Sequence, residues 1–143
     1  MYSAVDVAKH IVSYSTQQGK SISNLKLQKM LYYLWVDYYK STGRELYVDD
    51  ICAWQFGPVV PDVYYEFCSY AGTPISKEFA SPISDDDRIT LNGIINKYLY
   101  KTAHMLVDMT HEQGSPWNTV YQNGAGLREV IPFDLIKRLE CGN

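Results

Sequence analysis

Apolar residues in the first half of the chain recur mostly at helical spacing. Ala4, Val7, Ala8, Ile11 and Val12 share one face behind Ser3, and Asp6 stands where a capping box places its acid. Gly19 ends this helix. Ser23 starts a second, with Ile22 and Leu27 in the two positions of a hydrophobic staple. Its stripe runs through Leu27, Met30, Leu31, Leu34 and Tyr38, is widened by Tyr32, Tyr33, Trp35 and Tyr39, and stops at Gly43. A helix this apolar must be covered on most sides, so it is expected to be the central one.

The periodicity then changes. Runs 46–48 and 51–56 favour strands, and Asp49-Asp50 between them predicts a small β-hairpin. Gly57-Pro58 follows, then Val59, Val60 and Pro61-Asp62. Glycine opens backbone angles closed to other residues, proline fixes its own φ, and Pro61-Asp62 suits a helix first turn. That corner predicts a stiff turn into a helix over 61–70, closed by Gly72. Trp54 and Phe56 are expected to pack on the 27–34 helix, with 58–61 setting the direction of the next one. Residues 73–82 read as an irregular crossing. Ser84 caps a helix with Asp85, Asp86 and Asp87 in its first turn and Leu91, Ile94, Ile95 and Tyr98 on its apolar face. Thr102 caps another, broken by Gly114 and Pro116; a short helix over 117–121, a loop over 123–126 and a last helix over 132–140 complete the chain. The predicted fold class is mainly α, a single multi-helix domain over 1–143 with one small β-hairpin.

Composition adds limits. The 143 residues suffice for a real core, and 46% hydrophobic with 20% charged is ordinary for a soluble globular chain. Thirteen tyrosines are not ordinary, and they argue for a large ordered contact surface. A net charge of −3 argues against direct nucleic-acid binding and favours a protein partner. Cys52, Cys68 and Cys141 are odd in number and lack metal-site spacing, so reduced thiols in a cytoplasmic protein are expected. No apolar run is long enough to span a membrane.

Candidate chemistry is sparse. His104, Asp108 and His111 stand at helical spacing and could share a face, as a metal pair or an acid–base site would require. The simpler reading is a histidine bonding carbonyls at a helix end, and no metal or cofactor is expected. No nucleophile motif or phosphate loop is present, so no enzymatic role is expected. Lys20, Lys26 and Lys29 read as a solvated helix edge. Trp54, Phe56, Tyr64, Tyr65 and Trp117 are either core residues or interface anchors, and the sequence leaves both open.

Three motifs in register resemble the SocA-like Panacea antitoxin domain family, which includes phage-associated GepA-like proteins. They are LQKMLYY at 27–33, AWQFGPVVPDVYYEF at 53–67 and MTHEQGSPW at 109–117. The family pattern falls on Leu27, Gln28, Lys29, Met30, Leu31, Tyr32 and Tyr33; on Ala53, Trp54, Phe56, Gly57, Pro58 and Val59; and on Met109, Thr110, His111, Pro116 and Trp117, with Tyr64 in the second motif. Cys52 stands where many members carry Glu, and Leu34 to Asp37 replace a usual Ala-Gln-Gly-Trp. The resemblance implies a mainly helical fold with a small β element. It further implies an antitoxin that neutralises a toxin, usually encoded next door, by direct binding. Two alternatives accompany it: an adaptor delivering the toxin to an ATP-dependent protease, and a phage regulatory protein acting through other protein contacts. The matched residues are structural or partner-binding, and the resemblance does not separate the two.

Overall fold

The computed structural model describes residues 1–142. Seven α-helices and one two-stranded antiparallel sheet are found among them: α1 Ala4–Gln17, α2 Asn24–Thr42, β1 Cys52–Trp54, β2 Gly57–Val59, α3 Pro61–Glu66, α4 Asp85–Leu99, α5 Ala103–Thr110, α6 Pro116–Tyr121 and α7 Phe133–Glu140. Helix α2 lies at the centre, as its stripe requires. Leu27, Met30, Leu31, Leu34 and Trp35 are fully buried, and α1, α3, α4, α5, α7 and β2 all contact this helix.

The starts of five helices follow one rule. Ser3, Ser23, Ser84, Thr102 and Ser115 each accept a hydrogen bond from the third backbone N–H of the helix they open. Gly43 closes α2 in the left-handed conformation, its N–H bonded to the Tyr39 carbonyl. Asp87 does more than start a helix. It is buried and accepts from the hydroxyls of Tyr2 at 2.5 Å and Tyr38 at 3.0 Å, with Arg44 at 3.4 Å, tying α4 to α2 and to the segment ahead of α1.

The hairpin exists, but not where the alternation of 46–48 with 51–56 places it. Its turn is Gln55-Phe56, with Cys52 opposite Val59, Ala53 opposite Pro58 and Trp54 opposite Gly57. Residues 46–48 make no strand. Leu46 and Tyr47 are buried instead against α2: the Trp35 indole donates to the Tyr47 carbonyl at 2.9 Å, and the Tyr47 hydroxyl donates to the Leu31 carbonyl at 2.9 Å. Asp49 is also engaged, accepting from the Ala4 N–H at 3.0 Å. The expected partner of 51–53 is replaced by a segment distant in sequence. Ala53 N–H donates to Glu129 O at 2.8 Å, Arg128 N–H to Ala53 O at 2.6 Å and Ile131 N–H to Ile51 O at 2.7 Å. The helix expected over 61–70 ends at Glu66 and resumes as a 3₁₀ turn over Cys68–Tyr70.

One edge of β1 is thus covered by 129–131. The free edge of β2 is covered by side chains. Ala53 directs both its backbone groups toward 128–129, so the Pro58 carbonyl opposite points outward, toward α2. There it accepts from Lys29 Nζ at 2.9 Å, and the next N–H along, Val60, donates to Gln28 Oε1 at 2.9 Å. Two consecutive α2 side chains stand in for the missing strand, so this edge offers no open ladder.

Candidate functional site

Lys29 is the pivot. It is fully buried, which corrects the expectation of a solvated helix edge; Lys20 of the same cluster is exposed, and Lys26 is half-buried with its ammonium donated to the Leu99 carbonyl. The physical reason is the hairpin: β2 covers this stretch of α2, and the Pro58 carbonyl gives the ammonium a partner. Desolvation lowers the Lys29 pKa from 10.5 to about 7, and no carboxylate lies within 4.0 Å of it among the described residues.

The three sequence motifs meet at this lysine. Gly57 has φ +114, and a Cβ there would sit 2.7 Å from Thr110 Oγ1 and 2.8 Å from Lys29 Cε. Only glycine permits both the angle and the approach. Thr110 turns its hydroxyl back to the Val107 carbonyl at 2.8 Å, which keeps it compact beneath the hairpin. Pro116 occupies the first turn of α6 and points Trp117 at the hairpin, whose Trp54 carbonyl accepts from the Trp117 indole at 2.7 Å. His111 lies flat on Trp117, with ring centroids 3.8 Å apart and planes at 6°, and Tyr121 stacks on Trp117 at 4.5 Å. Burial lowers the His111 pKa, the Lys29 charge lowers it further, and Asp108 and the Phe56 backbone oppose the shift. Its Nε2 is buried without a hydrogen-bond partner.

Gln28 completes the frame. Its amide donates to Asn24 Oδ1 at 3.0 Å, and Asn24 donates to the Tyr64 carbonyl at 3.2 Å, so a buried relay joins α2, β2 and α3. Leu27 is core, and Val59 is buried beside the frame. Tyr32 and Tyr33 face elsewhere: the Tyr32 hydroxyl donates to Glu140 at 2.7 Å, and Tyr33 stacks on Tyr98 at 5.2 Å. They fasten α7 and α4 to the central helix.

His104 and Asp108 form an exposed pair at 3.3 Å, whereas His111 lies in the Trp117 stack, so the three do not make the shared face that a metal or acid–base site would need. Among the described residues no group of three or more His, Cys, Asp or Glu could hold a metal ion. Phe56 does not pack on α2. A two-residue turn carries its side chain off the body of the fold, and it is 58% exposed. Trp54 finds its ring neighbours in α3, with Tyr64 at 4.9 Å and Tyr65 at 6.3 Å.

Above this frame lies a concave surface of about 510 Å³, with Leu25, Trp54, Phe56 and Leu127 among its walls and Lys29 and Arg128 as its charged lining. Leu127 and Arg128 were invisible in the sequence, where they follow a glycine-containing loop without periodicity. Arg128 adopts φ +70, uncommon for a residue with a side chain, and its guanidinium lies 4.5 Å from the Trp54 ring centroid. Exposed Phe56, Tyr65, Leu127 and Leu25 make the surroundings apolar. No helix among the described residues is long and apolar enough to cross a membrane.

Residues 27–118 match the family described as antitoxin SocA-like, Panacea domain. The protein called Antitoxin SocA from Caulobacter vibrioides (strain NA1000 / CB15N) is 32% identical over 120 residues, covering 73% of this chain and 62% of that protein. The chain therefore spans under two thirds of the length of this curated relative. No solved structure matches. The matched segment opens at Leu27 and closes one residue after Trp117, so it contains the whole frame of Lys29, Gly57-Pro58, Thr110-His111 and Trp117. On this match and this identity, the chain belongs to the SocA-like Panacea domain family of antitoxins.

Proposed function

We propose that this protein neutralises a toxin protein by binding it directly, through the face around the hairpin tip, without catalysing a reaction. The carrying observation is the concave surface at Trp54, lined by Phe56, Leu127 and Leu25 and flanked by Tyr65 beside the Trp54 ring, each 40–59% exposed although large and apolar. Such side chains on a monomer's surface mark a contact site when they cluster around a concavity. Rigid aromatic anchors in a cleft supply most of the energy of a protein interface, and the surrounding contacts exclude water. The hairpin is well suited to present them because α2 side chains, α6 and the 129–131 segment hold it. Family membership supports the antitoxin role.

The test is growth. Products of reading frames adjacent to this gene are expressed alone and with this chain. One of them is expected to arrest growth alone and to be relieved by co-expression, with relief intact in a host lacking its ATP-dependent proteases. Relief that requires such a protease would replace occlusion by delivery. Absence of any relieved toxin would overturn the antitoxin reading.

A further inference from the structure

Two cations line the cavity, and no acid does. Its charged residues are Lys29 and Arg128, with no Asp or Glu among the lining side chains. That is unexpected in a chain whose net charge is −3, since acidic residues outnumber basic ones over the whole molecule. Neither cation is paired with a carboxylate among the described residues. Lys29 is fully buried, and the Pro58 carbonyl is its one hydrogen-bond acceptor there. Buried ammonium groups are normally paired, because leaving water without a counter-charge is costly. Arg128 is held at the cavity over the Trp54 ring by a left-handed backbone, and its N–H is tied to the Ala53 carbonyl at 2.6 Å. Strained backbone of this kind persists where surrounding structure enforces it, and here it fixes the direction of a guanidinium.

The other walls combine large apolar side chains, Leu25, Trp54, Phe56 and Leu127, with the neutral polar Asn24, Gln28 and Gln55. A volume of about 510 Å³ lies within the ordinary range of small-ligand sites, roughly 300–1,000 Å³. We propose that the cavity receives a segment of the bound toxin that presents an apolar or aromatic side chain next to a carboxylate. The side chain fills the Trp54 cleft, and the carboxylate meets the Arg128 guanidinium at the cavity wall. Lys29 acts from beneath: its ammonium attracts the carboxylate through an interior where charges are poorly screened. This rests on the toxin-binding reading for the source of the carboxylate, while the ligand chemistry rests on the lining alone.

N-acetyl-phenylalanine and its neutral amide separate the elements of the proposal. Each is titrated into the purified chain while the Trp54 indole resonance is followed by NMR, with wild type and R128Q compared. The acid is expected to shift that resonance and to bind at least tenfold more tightly than the amide, and R128Q is expected to reduce that preference severalfold, leaving the part that Lys29 supplies. Binding of the acid at pH 8 is also expected to take up a proton, as the Lys29 amine becomes an ammonium beside the carboxylate. Equal binding of acid and amide, or no shift with either, overturns the proposal. So does a toxin neutralised equally well by wild type and R128Q. Failure to neutralise any toxin counts against the toxin-binding reading alone, because the contrast between acid and amide is measured on the isolated chain.

Discussion

Lys29 and Gly57 constrain one another, and each can be tested alone. Burial holds the folded Lys29 near pKa 7 against an unperturbed 10.5, so between those values the unfolded chain binds more protons and stability rises with pH. The contribution is complete above the unfolded pKa and is lost as pH falls toward the folded one. From pH 7 to 8.5 this one group is expected to add roughly 1–2 kcal/mol of stability, a window below the range in which the raised thiols and phenols act. Urea unfolding at the two pH values should show that rise in the wild type, and Lys29→Met should flatten it. An unchanged slope in the variant would place the titration elsewhere. At Gly57, alanine meets both a positive φ and the atoms of Thr110 and Lys29 within 3 Å. Gly57→Ala is expected to cost at least ~2 kcal/mol in the same assay, since strain and overlap add.

At the scale of elements, the helices were legible and the strand partners were not. Ser3, Ser23, Ser84 and Thr102 announce their helices because a cap is local: the hydroxyl bonds an N–H three residues on, and the sequence contains both groups. The apolar runs on either side of Asp49-Asp50 predict strands, and Leu46 and Ile51 are in fact buried, but an apolar run does not name its partner. Tyr47 is satisfied by α2, and 51–53 by residues more than 70 positions away. No periodicity carries that information. The same holds for Lys29, whose charge suggested solvent and whose partner is a carbonyl on a different element. The motifs are far apart in the sequence, and only the fold brings them to one lysine. A consequence concerns the chain end: residues 128–131 cover an edge of β1, and Ile131 and Ile136 are buried. A chain truncated before Arg128 is expected to lose cooperative thermal unfolding and to expose β1, visible as early exchange of the Ala53 amide. Retention of a sharp transition would show that the hairpin stands without its third segment.

At the scale of the molecule, the many aromatics divide their labour. Tyr32, Tyr33, Trp35, Tyr47 and Tyr98 hold the helices around α2 through hydroxyl bonds and ring stacks. Trp117 carries the hairpin. Phe56 and Tyr65 are left facing solvent beside the Trp54 cavity, with Leu127 and Leu25. A surface arranged in this way is suited to covering a partner, and relief of toxicity in cells would agree with that without proving contact. The direct measurement is calorimetric titration of the purified toxin, once the growth assay has identified it, into the wild-type chain and into Phe56→Asp. Phe56 is exposed at a turn, so the substitution leaves the core intact. The wild type is expected to form a stoichiometric complex, and Phe56→Asp, with unchanged thermal stability, is expected to bind at least a hundredfold more weakly, a loss of about 2.7 kcal/mol. Equal affinity for both proteins would contradict binding at the hairpin face, and no heat of binding with either would contradict neutralisation by direct contact.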